Sequence, residues 1–400
     1  MKYAILIADG MADHPLEELF GKTPLEAAKT LHMDELASQG QVGLCQTVPQ
    51  GVTPGTDVST LSILGYDPRR YYSGRGSLEA VNIGVDLKED EVAFRCNLVA
   101  AGEDRLVDYS AGHISTEEAR ILIHHLNKTL GKKGIRFYPG VSYRHLLVVK
   151  KSLSPTGRFE VQAAGPHTLV GKEISANLPQ GEGAELLKEL MEASRQALQD
   201  HEVNKVRLDL KENPATMIWL WGPGTQCEVP SFKERFGVEG AVISAIDLIK
   251  GIGKLVGFEV VKVPGATGYY DTNYVGKAEY ALETLKRKDL VLVHLEATDE
   301  AGHNGDLRQK MAAIEKFDKL IVGTVVKGLR RSKNVRILIM PDHATLVSTR
   351  SHVNDPVPFL LYGKDIASGK ARAFSEKEAK ETGFVVEEGH RLMDTFIFRG

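Results

Sequence analysis

Short apolar runs recur along this chain, and most of them stop at an acid or a histidine. They are "YAILIADG" at 3–10, "ATMIWLWG" at 215–222, "GFEVVKV" at 257–263, "DLVLVHLEA" at 289–297 and "VRILIMPDH" at 335–343. Runs this short, apolar on both faces, are the pattern of central parallel strands covered by helices on each side. Helix-like stretches at 240–255, 272–287 and 305–330 separate the later ones. Such alternation predicts an α/β fold, a mostly parallel sheet sandwiched by helices.

The middle of the chain breaks the pattern. Between about 90 and 210 the strand-like segments are shorter and more polar: "EVAFRCNLV", "IRFYPGVSYRHLLVVK" and "GRFEVQAAG". Helical patterns near 115–130 and 183–200 accompany them. The expected organisation is a discontinuous sheet core, 1–88 and 212–400, carrying a smaller inserted α+β domain at 89–211. A length of 400 residues fits two cores better than one.

Composition narrows the function classes. A net charge of −3 with 26% charged residues argues against nucleic acid as a partner. Cys45, Cys96 and Cys227 are odd in number and far apart, neither a disulfide framework nor a metal knuckle, which fits a reducing cytoplasm. The N-terminal apolar run ends at Asp9, too early for a signal peptide. No run approaches the roughly 20 apolar residues of a membrane span. The expectation is a cytoplasmic protein with no membrane partner; the number of copies per particle is left open.

The chemistry gathers where the runs end. Asp9 closes the first; Asp299 and His303 follow the fourth in "LEATDEAGH"; Asp342 and His343 close the fifth, and His352 comes nine residues later. In open α/β sheets ligands bind outside the carboxyl ends of the strands, so these residues should converge on one edge. Three aspartates and three histidines there would repel or stay unsatisfied without a cation. Carboxylate with imidazole suits Mn²⁺, Zn²⁺ or Fe²⁺ better than Ca²⁺ or Mg²⁺ alone. Six ligands exceed one tetrahedral ion; two ions roughly 4 Å apart would use them, as in phosphoryl-transfer sites.

"PGTDVSTLSILGYDP", at 54–68, supplies a hydroxyl. Thr56 falls where a helix should start. It can be the helix N-cap, or a nucleophile at a helix N-terminus, where free N–H groups attract phosphate. Beside a cation its proton leaves more easily and its oxygen can attack phosphorus. Ser59 and Ser62 are rival hydroxyls, but both fall inside the helix.

The ordered set "LIADG", "PGTDVSTLSILGYDP", "YYSGRGSLEAV", "GATGYYDTNYVGKA", "EATDEAGH", "MPDHAT" and "SHVNDPVPF" resembles the 2,3-bisphosphoglycerate-independent phosphoglycerate mutases of the archaeal type, members of the alkaline phosphatase superfamily. The resemblance implies an alkaline-phosphatase-like sheet with an inserted domain. It implies two divalent ions, Mn²⁺ first, with Zn²⁺, Fe²⁺, Co²⁺ or Mg²⁺ as substitutes, and no 2,3-bisphosphoglycerate. Asp299, His303 and His352 would hold one ion; Asp9, Thr56, Asp342 and His343 the other. A small phosphorylated substrate would pass its phosphoryl group between the 3- and 2-hydroxyls of glycerate through a phosphorylated Thr56.

Two departures stand out. Thr56 replaces the serine usual in the "GSD" of these mutases, and "WLWGPG" lacks an arginine common near Trp221. A bacterial subgroup similar to these enzymes has been proposed to act as homoserine kinase. Transfer to homoserine, phosphomonoester hydrolysis, or a metal-binding protein without turnover are therefore the alternatives. Arg75 between two glycines, Lys250 in "IDLIKGIGK" and His113 in "YSAGHIST" are the candidate substrate contacts. His167 in "AGPHTLVG" makes a similar claim, a surface histidine being the plainer alternative for both histidines.

Overall fold

Each of the outer apolar runs becomes a strand, but not all in the same sheet. The computed structural model describes residues 1–398. Lys2–Ala8 pairs in parallel with Leu290–Leu295 on one side and Val335–Met340 on the other. The full order across this sheet is Glu259–Val260, Gly240–Ile243, Leu290–Leu295, Lys2–Ala8, Val335–Met340, Val357–Gly363, Gln41–Cys45 and Val385–Val386. Only Val357–Gly363 runs against the others, so the sheet is mostly parallel, as the alternation requires. A parallel return needs a crossover, usually helical. The chain between Val335–Met340 and Val357–Gly363 instead forms a small hairpin, Ala344–Leu346 with Ser351–Val353, and comes back antiparallel.

Helices Leu31–Gln39, Tyr274–Arg287 and Leu307–Lys316 bury one stripe each against the sheet, through residues such as Met33, Leu36, Ala278, Ala281, Leu285, Ala313 and Ile314. Central strand residues from Ala4 to Ala8 and from Leu290 to Leu295 have no exposed surface. The stretch expected as one helix over 305–330 is Leu307–Lys316, a π-helical turn Phe317–Val322, and Gly323–Leu329. The π turn aims buried Asp318 at another helix. Its carboxylate accepts the backbone N–H groups of His32 and Met33, at 3.2 and 2.7 Å, and so caps Leu31–Gln39, whose own N-cap Thr30 makes no side-chain cap bond.

Two expectations are corrected. The stretch 240–255 is not one helix: Gly240–Ile243 is a strand and the helix starts at Asp247. A short apolar run cannot by periodicity be told from a buried helix segment. Met217–Thr225 is a strand, but it pairs antiparallel with Glu91–Ala101, outside the parallel set.

The chain divides into two compact units, Met1–Tyr72 with the chain from Val229 onward, and Ser73–Glu228. The second unit starts earlier and ends later than 89–211. Its sheet recruits Met217–Thr225, and helix Arg75–Ile83 packs on the same sheet, close enough that a Cβ on Gly76 would lie 2.2 Å from the Ala93 carbonyl oxygen. This sheet is antiparallel, Met217–Thr225, Glu91–Ala101, Arg144–Lys150 and Ile135–Val141, with Leu106–Asp108 at one end of Glu91–Ala101. Helices Thr116–Thr129 and Ala184–Gln199 cover it and complete a separate core. Among the described residues no helix is long and apolar enough to cross a membrane.

Candidate active site

Three neighbouring parallel strands end in chemistry, as their order requires. Asp9 follows Lys2–Ala8, Asp342 and His343 follow Val335–Met340, and helix Ala297–Asn304 follows Leu290–Leu295. On that helix Asp299 and His303 stand four apart and so share a face; their Oδ2 and Nε2 lie 3.4 Å apart. The small hairpin places His352 opposite Thr345, and His352 Nε2 reaches within 3.3 Å of Asp299 Oδ1 and 2.8 Å of His303 Nε2. His343 Nε2 lies 3.3 Å from Asp9 Oδ1 and 3.5 Å from Asp342 Oδ2. All six acids and histidines expected at the sheet edge are thus gathered there. Two tight sets emerge, Asp9 with Asp342 and His343, and Asp299 with His343 and His352; His303 adjoins the second.

Thr56 is the first residue of helix Thr56–Ile63, not its cap. Gly55 is the N-cap and offers no side chain, and Asp57 Oδ1 accepts the first-turn N–H of Val58 at 3.1 Å. The Thr56 hydroxyl is buried and lies 3.3 Å from His343 Nε2. Ser59 serves differently, its Oγ donating to Asp342 Oδ2 at 3.0 Å. Ser62 faces away, toward Gly389. Gly10 must be glycine, since its φ is +60° and an added Cβ would meet Thr345 Oγ1 at 2.4 Å and Asp299 Oδ1 at 2.6 Å.

The supports of these groups aim them inward. His303 Nδ1 bonds the Arg350 carbonyl at 3.0 Å, and His343 Nδ1 lies 3.2 Å from Thr345 Oγ1. Both leave Nε2 for the centre, the arrangement that fixes metal-binding histidines. Asp342 Oδ1 accepts the N–H groups of Gly10 and His343 at 3.1 and 2.9 Å. Thr345 donates to Asp299. Thr345 was not legible from the sequence as a supporting group, having no spacing signal of its own.

The electrostatics test whether a cation fits. Burial and the neighbouring Asp342 and Asp299 push the Asp9 carboxyl well above the usual range. Burial works the same way on Asp299, but hydrogen bonds from His303 and His352 outweigh it and hold it well below. Asp299 in turn raises the His303 imidazole to about 9. Asp9 Oδ1 has no hydrogen-bond partner although it is buried. Three carboxylates crowded together, an orphaned buried oxygen and two imidazole nitrogens 2.8 Å apart are the arrangement that divalent cations relieve. The donor set fits.

Each of the remaining candidates has partners of its own. Lys250 bonds the Ala245 carbonyl at 2.9 Å and Asp247 at 3.2 Å, at the start of its own helix. In the second unit, the Arg75 guanidinium lies 5.7 Å and that of Arg95 4.6 Å from the Trp221 ring, and the His167 ring 5.7 Å from it. Arg95 is nearly buried and pairs with Glu79 at 3.6 Å. Nothing in the sequence distinguishes it, since it stands in an ordinary strand. His113 ends three successive left-handed residues, Ala111, Gly112 and His113, with φ of 48°, 67° and 52°. Asp108 holds that turn through the N–H groups of Ser110 and Gly112, and buried Arg207 through the Ala111 carbonyl. Non-glycine residues in this region cost of order 1 kcal/mol or more each and collect at functional sites.

Acid and histidine donors converging at the carboxyl ends of a parallel sheet, beside a hydroxyl on a helix N-terminus, define a class: divalent-metal sites of the kind that move phosphoryl groups. The comparisons with known proteins sharpen it. The chain belongs to the 2,3-bisphosphoglycerate-independent phosphoglycerate mutase family. The family's model matches residues 37–204. A relative of that name from Methanosarcina barkeri is 50% identical, covering 95% of each chain. A solved protein from Pyrococcus horikoshii is 30% identical with a TM-score of 0.82 over 100% of this chain and 98% of that one. A cofactor-independent phosphoglycerate mutase from Thermoplasma acidophilum superposes with a TM-score of 0.66 at 27% identity, each chain covered completely.

Proposed function

We propose that this chain interconverts 3-phosphoglycerate and 2-phosphoglycerate without 2,3-bisphosphoglycerate, through a phosphoryl group held transiently on Thr56. The observation that carries the reading is a buried hydroxyl 3.3 Å from His343 Nε2 amid the carboxylates. Family membership supports the substrate; near relatives carry the mutase name rather than that of a kinase or phosphatase.

Asp299, His303 and His352 would hold one divalent ion and Asp9, Thr56, Asp342 and His343 the other, with Mn²⁺ the best match to mixed carboxylate and imidazole donors. Bound there, the ions would supply Lewis acidity toward the phosphoryl oxygens and lower the proton affinity of the hydroxyl. The protein's own residues do the rest. Thr56 Oγ1 attacks phosphorus, the bond from phosphorus to the substrate's O3 breaks, and the proton given up by the Thr56 hydroxyl ends on O3, leaving glycerate. The 2-hydroxyl then attacks the same phosphorus, the bond from phosphorus to Oγ1 breaks, and the 2-hydroxyl's proton returns to Thr56. Burial of Thr56 excludes the water that would hydrolyse the phosphoryl group. Arg75, His113 and Lys250 are the proposed contacts for the anionic substrate. The Arg75 and Arg95 guanidinium groups near Trp221, and the strain held at His113, favour the two in the second unit. A cytoplasmic setting fits such a substrate.

The test is conversion of 3-phosphoglycerate with added Mn²⁺, run beside an assay with ATP and homoserine. Mutase turnover without homoserine phosphorylation supports the proposal. Homoserine phosphorylation alone, or release of inorganic phosphate alone, contradicts it.

A further inference from the structure

We infer that His294 is a positioning residue for Asp9, and that the buried Lys277–Glu296 pair holds it in place. His294 is fully buried near the end of Leu290–Leu295. Its ring nitrogens face two carboxylates: Nδ1 is hydrogen-bonded to Glu296 Oε1 at 3.4 Å, and Nε2, which has no hydrogen-bond partner, stands 3.5 Å from Asp9 Oδ2. Glu296 is pinned. Its Oε1 accepts Ser244 Oγ at 2.7 Å and the Ala245 N–H at 2.9 Å, and its Oε2 accepts Lys277 Nζ at 2.6 Å. The same ammonium donates to the His294 carbonyl at 2.7 Å. One lysine therefore fixes both the strand carrying the imidazole and the carboxylate behind it.

Lys277 comes from "GATGYYDTNYVGKA", a motif to which the catalytic reading gives no role. Asn273 caps the helix that begins there, accepting the Gly276 N–H at 2.8 Å. A fully buried ion pair is a poor stabiliser, because desolvating both charges costs several kcal/mol. Here the pair ends one imidazole away from a site residue, which gives it a use. Asp9 has its Oδ2 toward His294 and its unpartnered Oδ1 toward His343 Nε2, at 3.3 Å. Steering one oxygen outward presents the other to the centre. Partners behind metal ligands typically change metal affinity 10–100-fold.

This rests on Asp9 being a metal ligand. The experiment is Mn²⁺ titration of the full chain, followed by the electron paramagnetic resonance signal of free Mn²⁺, for the parent, His294→Met and His294→Gln. Methionine keeps the apolar volume without a donor; glutamine keeps an N–H. The methionine variant should hold one ion as the parent does and the second about 10–100-fold more weakly, and glutamine should restore most of the loss. Parent-like binding of both ions by the methionine variant, or glutamine no better than methionine, overturns the inference. A parent that binds no Mn²⁺ overturns instead the metal reading beneath it. Should His294→Met fail to fold, the double variant Lys277→Met, Glu296→Leu removes both buried charges together. It should lose the same site, and unchanged affinity for both ions overturns the inference.

Discussion

A hydroxyl, three carboxylates and three imidazoles carry the account, and the hydroxyl is the most exacting of them. Threonine is stiff at χ1, and Thr56 sits where that stiffness holds Oγ1 toward His343. Thr56→Ser keeps the hydroxyl and should retain substantial mutase activity. Thr56→Val keeps the shape and removes the oxygen, and should abolish phosphoryl transfer while circular dichroism and melting stay near the parent's. Normal turnover by the valine variant would leave Thr56 a structural residue. His303→Ala and Asp342→Ala each delete one donor from a different set, and elemental analysis should show metal lost from both relative to the parent. Full occupancy in both would remove these residues from the set of ligands. That Asp9, Asp299, Asp342 and His343 would gather was legible in the sequence, because neighbouring parallel strands deliver their carboxyl ends to one edge. Ser59 and Thr345 were not, since a hydroxyl that props a ligand looks like any other hydroxyl until the chain folds. His294 was hidden differently, inside an apolar run where one histidine reads as core.

Elements were legible in proportion to their length and periodicity. The helices Thr116–Thr129 and Ala184–Gln199 fall where their amphipathic patterns stand. The strand Gly240–Ile243 was absorbed into its neighbouring helix because four apolar residues carry no period. Met217–Thr225 has the composition of a central strand, and that composition says nothing about which sheet it joins. The π turn at Phe317–Val322 is likewise invisible in a helical pattern, yet it sets the direction of Asp318. Because that carboxylate caps a helix from a distance, Asp318→Ala should destabilise the first unit by about 2 kcal/mol, the worth of hydrogen bonds to a charged group. Asp318→Asn, which keeps an acceptor, should cost less than half as much. Urea unfolding followed by circular dichroism checks both, and an alanine variant as stable as the parent would remove the capping role.

The chain is two cores of different construction, one built on a mostly parallel sheet and one on an antiparallel sheet. Both tryptophans, Trp219 and Trp221, lie in the second, so their fluorescence reports that unit alone. Buried in it is His145, whose Nδ1 accepts the Gly140 N–H at 3.0 Å while its Nε2 has no partner. Burial depresses this imidazole to about 3, against about 6.5 in an unfolded chain. A group depressed in the folded state adds stability above its unfolded value and loses it as pH falls toward the folded one. The second unit should therefore weaken between about pH 6.5 and 3 by up to about 1.4 kcal/mol per pH unit. His145→Phe should flatten that limb of the tryptophan-detected unfolding curve, and an unchanged slope would assign the acid sensitivity elsewhere.

The central claim is that a phosphoryl group passes through Thr56. The direct measurement is mass spectrometry, with fragment-level localisation, of enzyme quenched during turnover of 3-phosphoglycerate with Mn²⁺. Phosphate is expected on Thr56 in the parent, on the replacing serine in Thr56→Ser, and on neither Ser59 nor Ser62. Active parent enzyme with no phosphorylated residue, or with phosphate on Ser59, would contradict it.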